Sequence, residues 1–374
     1  MKSLRDALLW TSALLLGAPQ LGCRDAGAQY GDDWRTDFSK HVVPLEEIVS
    51  GGPSKDGIPA IDDPKFISVH EANRWLKDRE PVVVVDLEGE ARAYPLQILM
   101  WHEIVNDVVG RVPVTVTFCP LCNTALAFDR RFDGKVLDFG TTGRLRHSDL
   151  VMYDRQTETW WQQATGRGLV GEYAGERLTF IPSPLVSWRA FKEAHPKGQV
   201  LSRDTGHNRN YGNNPYVRYD EAESAPITRF FSGKIDSRLP AKERIVALWS
   251  DRESRAYPFS SLSEKRVIND EFDGQSIVVL WTPGTASALD SREIAEGRDV
   301  GSSGVYSRQV DGRKLTFESA GDSHFRDRET GSTWTILGEA VDGELKGTHL
   351  DPVQHGNHFW FAWAVFRPDT KVVQ

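Results

Sequence analysis

The chain repeats itself, and this limits its fold more than any other feature. Arg92-Ala93-Tyr94-Pro95 returns 163 residues later as Arg255-Ala256-Tyr257-Pro258, and Val105-Asn106-Asp107 returns at the same spacing as Ile268-Asn269-Asp270. Asp133-Gly134-Lys135 matches Asp311-Gly312-Arg313 at a spacing of 178. Farther on, Asp154-Arg155-x-Thr157-x-Thr159-x-Trp161 matches Asp327-Arg328-x-Thr330-x-Ser332-x-Trp334, and Trp188-x-x-Phe191 matches Trp363-x-x-Phe366. The order is kept from end to end, so one module has been duplicated. The spacing lengthens between Trp281 and Val305, where the second copy carries a polar insert from Ser287 to Glu296, read as helical.

Each copy reads mainly as strands. Pro81-Val-Val-Val-Val-Asp86 is a β-branched run, and Pro95 opens a short helix from Tyr94 to Trp101. Glu103 to Asp107 and Val112 to Phe118 flank Gly110 as a hairpin, and Asp133-Gly134 marks another. The expected fold is α+β and predominantly β, with two pseudo-repeated β-rich modules packed as one globular unit. The divisions are a signal peptide over 1–28, an N-terminal segment over 29–80 and the first copy over 81–200. A connector over 201–243 and the second copy over 244–374 complete the chain. The connector core, Gly206 to Tyr216, is rich in turn formers and reads as a long surface loop or a binding loop.

A net charge of -8 without a basic run argues against nucleic acid as a partner. Lys2 and Arg5 precede the apolar stretch Ala7 to Leu16, and Ala26-Gly27-Ala28 offers a small-x-small cleavage site. The mature protein is therefore expected in the periplasm or outside the cell. Gly22-Cys23 leaves a lipid on Cys23 open as the one route to a membrane.

Chemistry concentrates in Phe118-Cys119-Pro120-Leu121-Cys122-Asn123, set between two expected strands. Pro120 fixes one φ, and Asn123 tolerates the left-handed conformation that closes a metal-binding knuckle. Two thiolates so held suit a soft ion, copper or zinc. Pairing residue 102 with residue 117 would place His102 beside Cys119 as a third ligand, with Glu103 as general base or outer carboxylate. His147 is a further ligand or base, and His355 and His358 form a weakly specific pair. At the spacing of 163, Cys119, Cys122 and His102 become Thr282, Thr285 and Lys265, and Glu103 becomes Arg266. Their joint loss favours one shared site in the first copy. The repeated Asp-Arg-x-Thr motif, present in both copies, reads as structural.

Three functions fit these residues. The first is an exported metal-binding protein, extending to a metalloenzyme of unknown substrate. The second is a thiol-disulfide oxidoreductase cycling the same cysteines. The third is a non-catalytic module with a structural disulfide, binding a small molecule, glycan or protein in an aromatic cleft built from some of the 12 Trp. His102-Glu-Ile-Val-Asn-Asp107, Thr117-Phe-Cys-Pro-Leu-Cys-Asn123, Ser148-Asp-Leu-Val-Met-Tyr-Asp-Arg155 and Phe359-Trp-Phe-Ala-Trp363 together resemble a prokaryotic family known as domain of unknown function 3179. The resemblance implies export or lipid anchoring but no activity. It also implies Asn at the position of His147, which weakens that residue as a ligand.

Overall fold

The valine run is stiff about χ1 and packs well on a pleated surface, so it forms the strand Pro81–Leu87, antiparallel to Glu90–Pro95. Pro95, with φ fixed at -62°, starts the helix Leu96–His102. The helix ends at Glu103, whose φ of 59° reverses the chain at a conformational cost to a non-glycine residue. A hairpin follows, Ile104–Val109 with Val112–Cys119, turning at Gly110. The chain rounds the cysteine knuckle and returns as Thr124–Asp129 against Val112–Cys119. This description comes from a computed structural model, which describes residues 33–374. The signal-peptide reading and Cys23 lie outside the described residues. No helix among those described is long and apolar enough to cross a membrane.

The same order recurs in the second half. Arg244–Trp249, Ser254–Pro258, the helix Phe259–Lys265, Val267–Phe272 and Gln275–Thr282 follow one another, with Arg266 at φ 64° where Glu103 has 59°. The shared motifs make shared contacts. Arg92 and Tyr94 grip Asp107, with Tyr94 Oη 2.5 Å from its carboxylate, and Arg255 and Tyr257 grip Asp270, each at 2.8 Å. Asn106 bonds both the N–H and the carbonyl of Phe139, and Asn269 does the same to Phe317.

The two halves meet in one sheet. Gly356–Phe359 from the C-terminal half lies between Arg244–Trp249 and Thr124–Asp129, so an eight-stranded sheet runs through both. Residues 35–374 accordingly form one compact unit with many strands, several sheets and little helix. Trp160, Trp161, Trp188, Trp334, Trp360 and Trp363 are fully buried and build the core rather than a cleft. The insert is only slightly helical: a single 3-10 turn, Ile294–Glu296, sits in irregular backbone. Its carbonyls are used elsewhere, because Asp290, Leu289 and Arg292 accept from the N–H groups of Arg218, Tyr219 and Asn214. The insert thus holds the connector against the body.

The Asp-Arg-x-Thr motifs are cages. Asp154 accepts from Thr157 N, Thr157 Oγ1 and Trp161 Nε1 at 2.7–2.9 Å, and Asp327 accepts from Thr330 N, Thr330 Oγ1 and Trp334 Nε1 at 2.6–2.9 Å. Removing either carboxylate strands buried donors. Asp154→Ala and Asp327→Ala are each expected to cost about 2–4 kcal/mol in urea unfolding of the metal-free chain. A loss below about 1 kcal/mol in either would show that the cages are not structural.

Candidate metal centre

The knuckle closes as its residues dictate. Cys122 N bonds the Cys119 carbonyl and Asn123 N bonds the Pro120 carbonyl, each at 3.3 Å, and Asn123 takes φ 49°. Both thiols are free and buried, Cys119 at 1% and Cys122 at 0% exposure. The disulfide of the third sequence reading is therefore absent from this structure.

The residue beside them is Asp149. One sulfur from each cysteine and one Asp149 oxygen lie within 4.8 Å of one another. Asp149 opens the strand Asp149–Asp154 just after a tight turn in which His147 and Ser148 have φ 53° and 69°. That turn is tied at the Ser148 carbonyl, which accepts from Cys119 Sγ at 3.6 Å, and at Ser148 N, which donates to the Phe230 carbonyl at 2.7 Å. Asp149 Oδ2 accepts from Gln162 Nε2 at 2.5 Å and from Ala164 N at 2.9 Å. Its Oδ1 is buried without an N–H or O–H donor, and the Cys122 thiol is hydrogen-bonded to the carboxyl.

Glu103 completes an anionic cluster. Its carbonyl accepts from Phe118 N at 2.8 Å, which seats it next to the first cysteine. Neither Glu103 nor Asp149 has an ion-pair partner within 4 Å among the described residues. Burial pushes Glu103 up to about 8, helped by the Asp149 charge, and pushes Asp149 up to about 7. Burial also raises both thiols, Cys122 well above the usual thiol range. Without a cation, the cluster therefore keeps its protons.

The second half has a cation-anion pair at the corresponding positions, with Asp322 on the surface. Arg266, in the place of Glu103, pairs with Asp322 at 3.3 Å and lies over the Trp281 ring at 4.9 Å. Asp322 stands five residues before the caged Asp327, as Asp149 stands five before Asp154. At the corresponding positions the first half holds two buried acids and two thiols.

His102 is a correction. The strand pairing is Ile104 with Thr117, not residue 102 with 117, because the helix runs through His102 and the hairpin starts only after Glu103. Its Nδ1 lies 2.7 Å from the Pro59 carbonyl and its Nε2 2.6 Å from Tyr211 Oη, so both ring nitrogens are taken. Its ring lies tilted beside that of His207, centroids 5.4 Å apart, and His207 lines a 420 Å³ cleft with Asp56, Asp62, Tyr153, Arg155 and Glu158. His147 is also outside the ligand cluster: Nε2 meets Glu47 at 3.3 Å and Nδ1 meets Ser232 at 3.2 Å. Its turn matters more than its ring, since it positions Ser148 and Asp149.

Asp149 escaped sequence reasoning, although the repeat held a signal for it in the pair Asp149 and Asp322. The connector also contributes. Tyr219 Oη donates to the Leu121 carbonyl at 3.1 Å, inside the knuckle, and burial together with the Glu103 and Cys119 charges raises Tyr216. The connector is thus a strap across the site. No curated protein and no solved structure matches this chain. A family model does match, over residues 55–370, and the chain belongs to the family described as protein of unknown function DUF3179.

Proposed function

We propose that this is an exported zinc-binding protein whose ion is held by Cys119, Cys122 and Asp149. The observation that carries the reading is the buried trio of donors within 4.8 Å, in which the Cys122 thiol faces the Asp149 carboxyl. The two thiols and the carboxyl must shed raised protons to bind an ion, and a divalent ion balances the charge they then carry. The donor set favours zinc over copper. Two thiolates alone would suit Cu(I), whereas the hard carboxylate oxygen fits the borderline Zn²⁺. Three protein ligands leave one position of a tetrahedron, and Glu103 is the nearby group able to hold a proton beside it.

The competing reading is a redox dithiol with Asp149 as proton acceptor. It is favoured by the free thiols and by an Asp149 that titrates near neutrality, at about 7. It is weakened by the burial of both sulfurs, because thiol-disulfide exchange needs one sulfur open to attack. Elemental analysis of the full purified chain decides between them. About one zinc per molecule, lost in Cys119→Ser/Cys122→Ser, is the expected result. A parent chain that holds no zinc after reconstitution under reducing conditions, yet shows a measurable dithiol potential, would overturn the zinc reading.

A further inference from the structure

A second cleft opens where the two halves of the chain pack together. The strand Pro81–Leu87 turns Val84 and Asp86 toward it, since residues two apart on a strand share a face. The C-terminal half meets them with Tyr306 and Leu350. Val84, Tyr306 and Leu350 are buried and make an apolar floor, because the Tyr306 hydroxyl is turned away to the Ile336 carbonyl at 2.9 Å. The space between them is 200 Å³.

The rim is different in kind. Asp86, His195, Glu339 and His349 all line the cleft, and no Lys or Arg does. His195 follows the helix Trp188–Ala194, and its Nε2 lies 3.9 Å from an Asp86 oxygen, beyond hydrogen-bond reach. Glu339 and His349 are partners across an isolated antiparallel bridge. Among the described residues, the Glu339 carboxylate and the His349 ring have no hydrogen bond and no ion pair. Other surface glutamates are held by cations, Glu88 by Arg111, Glu271 by Lys314 and Glu344 by Arg313. Carboxylates are ionised at neutral pH and imidazoles mostly are not, so the rim is negative.

We propose that this cleft binds a small primary amine, with an apolar group on the floor and its ammonium at the Asp86 and Glu339 carboxylates. An ammonium offers three donors, and two carboxylates with the acceptor nitrogen of one imidazole match that number. Size sets the apolar part. A dry cavity of roughly 150 Å³ holds benzene, so 200 Å³ suits one ring and a short chain. No residue of the cleft belongs to the cysteine centre, so the inference does not rest on the zinc reading.

The test is a ligand-observed NMR titration of the full chain with 2-phenylethylamine, 2-phenylethanol and phenylacetate. The amine should bind saturably, with a Kd of about a millimolar or tighter. It should bind at least about tenfold tighter than the alcohol of the same shape, and phenylacetate should be weakest. Asp86→Asn/Glu339→Gln should bring the amine down to the level of the alcohol and leave the alcohol unchanged. Ala194→Leu should weaken both, because Ala194 lines the cleft and a larger side chain fills it. Leu is a good helix former and Ala194 is only half-buried, so this variant keeps the fold, which unaltered far-ultraviolet dichroism checks. No saturable binding of the amine, equal binding of amine and alcohol, tightest binding of phenylacetate, or amine binding unchanged in Ala194→Leu would overturn the proposal. None of these outcomes depends on whether zinc binds the cysteines.

Discussion

Zinc affinity is expected to climb steeply with pH, with a change of slope near neutrality. Binding displaces protons from Cys119 and Cys122, whose thiols are raised by burial, and from Asp149, which titrates at about 7. Each displaced proton adds about one decade of apparent affinity per pH unit. The logarithm of the affinity should therefore rise with a slope of about three below pH 7 and about two above it. Asp149→Asn removes the third proton and a ligand together. Its slope should stay near two throughout, and its affinity should fall by more than the roughly 10–100-fold typical of losing an outer-shell partner. Competition with a chromophoric chelator between pH 6 and 8.5 measures both. An identical curve for the variant would remove Asp149 from the ligand set.

Metal-free protein should instead lose stability as pH rises. Asp149 goes from an ordinary 3.8 to about 7 on folding, and Glu103 from 4.5 to about 8. Both shifts are upward, so the unfolded chain releases these protons first. Stability is then complete below about pH 4 and declines through pH 7 to 8, by as much as about 4–5 kcal/mol for each group if they acted alone. The two share one cluster and will not add. Glu103→Gln and Asp149→Asn, measured with chelator present, should flatten the decline and be more stable than the parent at pH 8. Zinc should reverse the order for Asp149→Asn, which lacks a ligand, but not for Glu103→Gln, which keeps all three. Parent stability that is level from pH 5 to 8 without metal would mean the carboxylates are not buried as described.

Much of the scaffold was legible in the residues. The valine run, Pro95, Gly110 and Asn123 each act within a few residues of their own position, so the strand, helix, hairpin and knuckle they specify could be read locally. The caged Asp154 and Asp327 were legible because the repeat printed them twice. His102 was misplaced for an equally physical reason. Period-2 pairing was carried two residues past the strand, into a helix, where side chains follow a period of 3.6 and the ring turns toward Pro59.

By itself the sequence determined the β-rich character, the recurring motifs and the one stretch that pairs two thiols, since all of these are matters of order and local preference. Only the tertiary structure decided that Asp149 meets the cysteines and that Tyr219 straps the knuckle. It also brought His358 behind Cys122 by way of Thr124. These contacts join elements far apart in the chain through sheet pairing and a buried turn. Their cost in desolvated charge appears only once the surrounding core has excluded water.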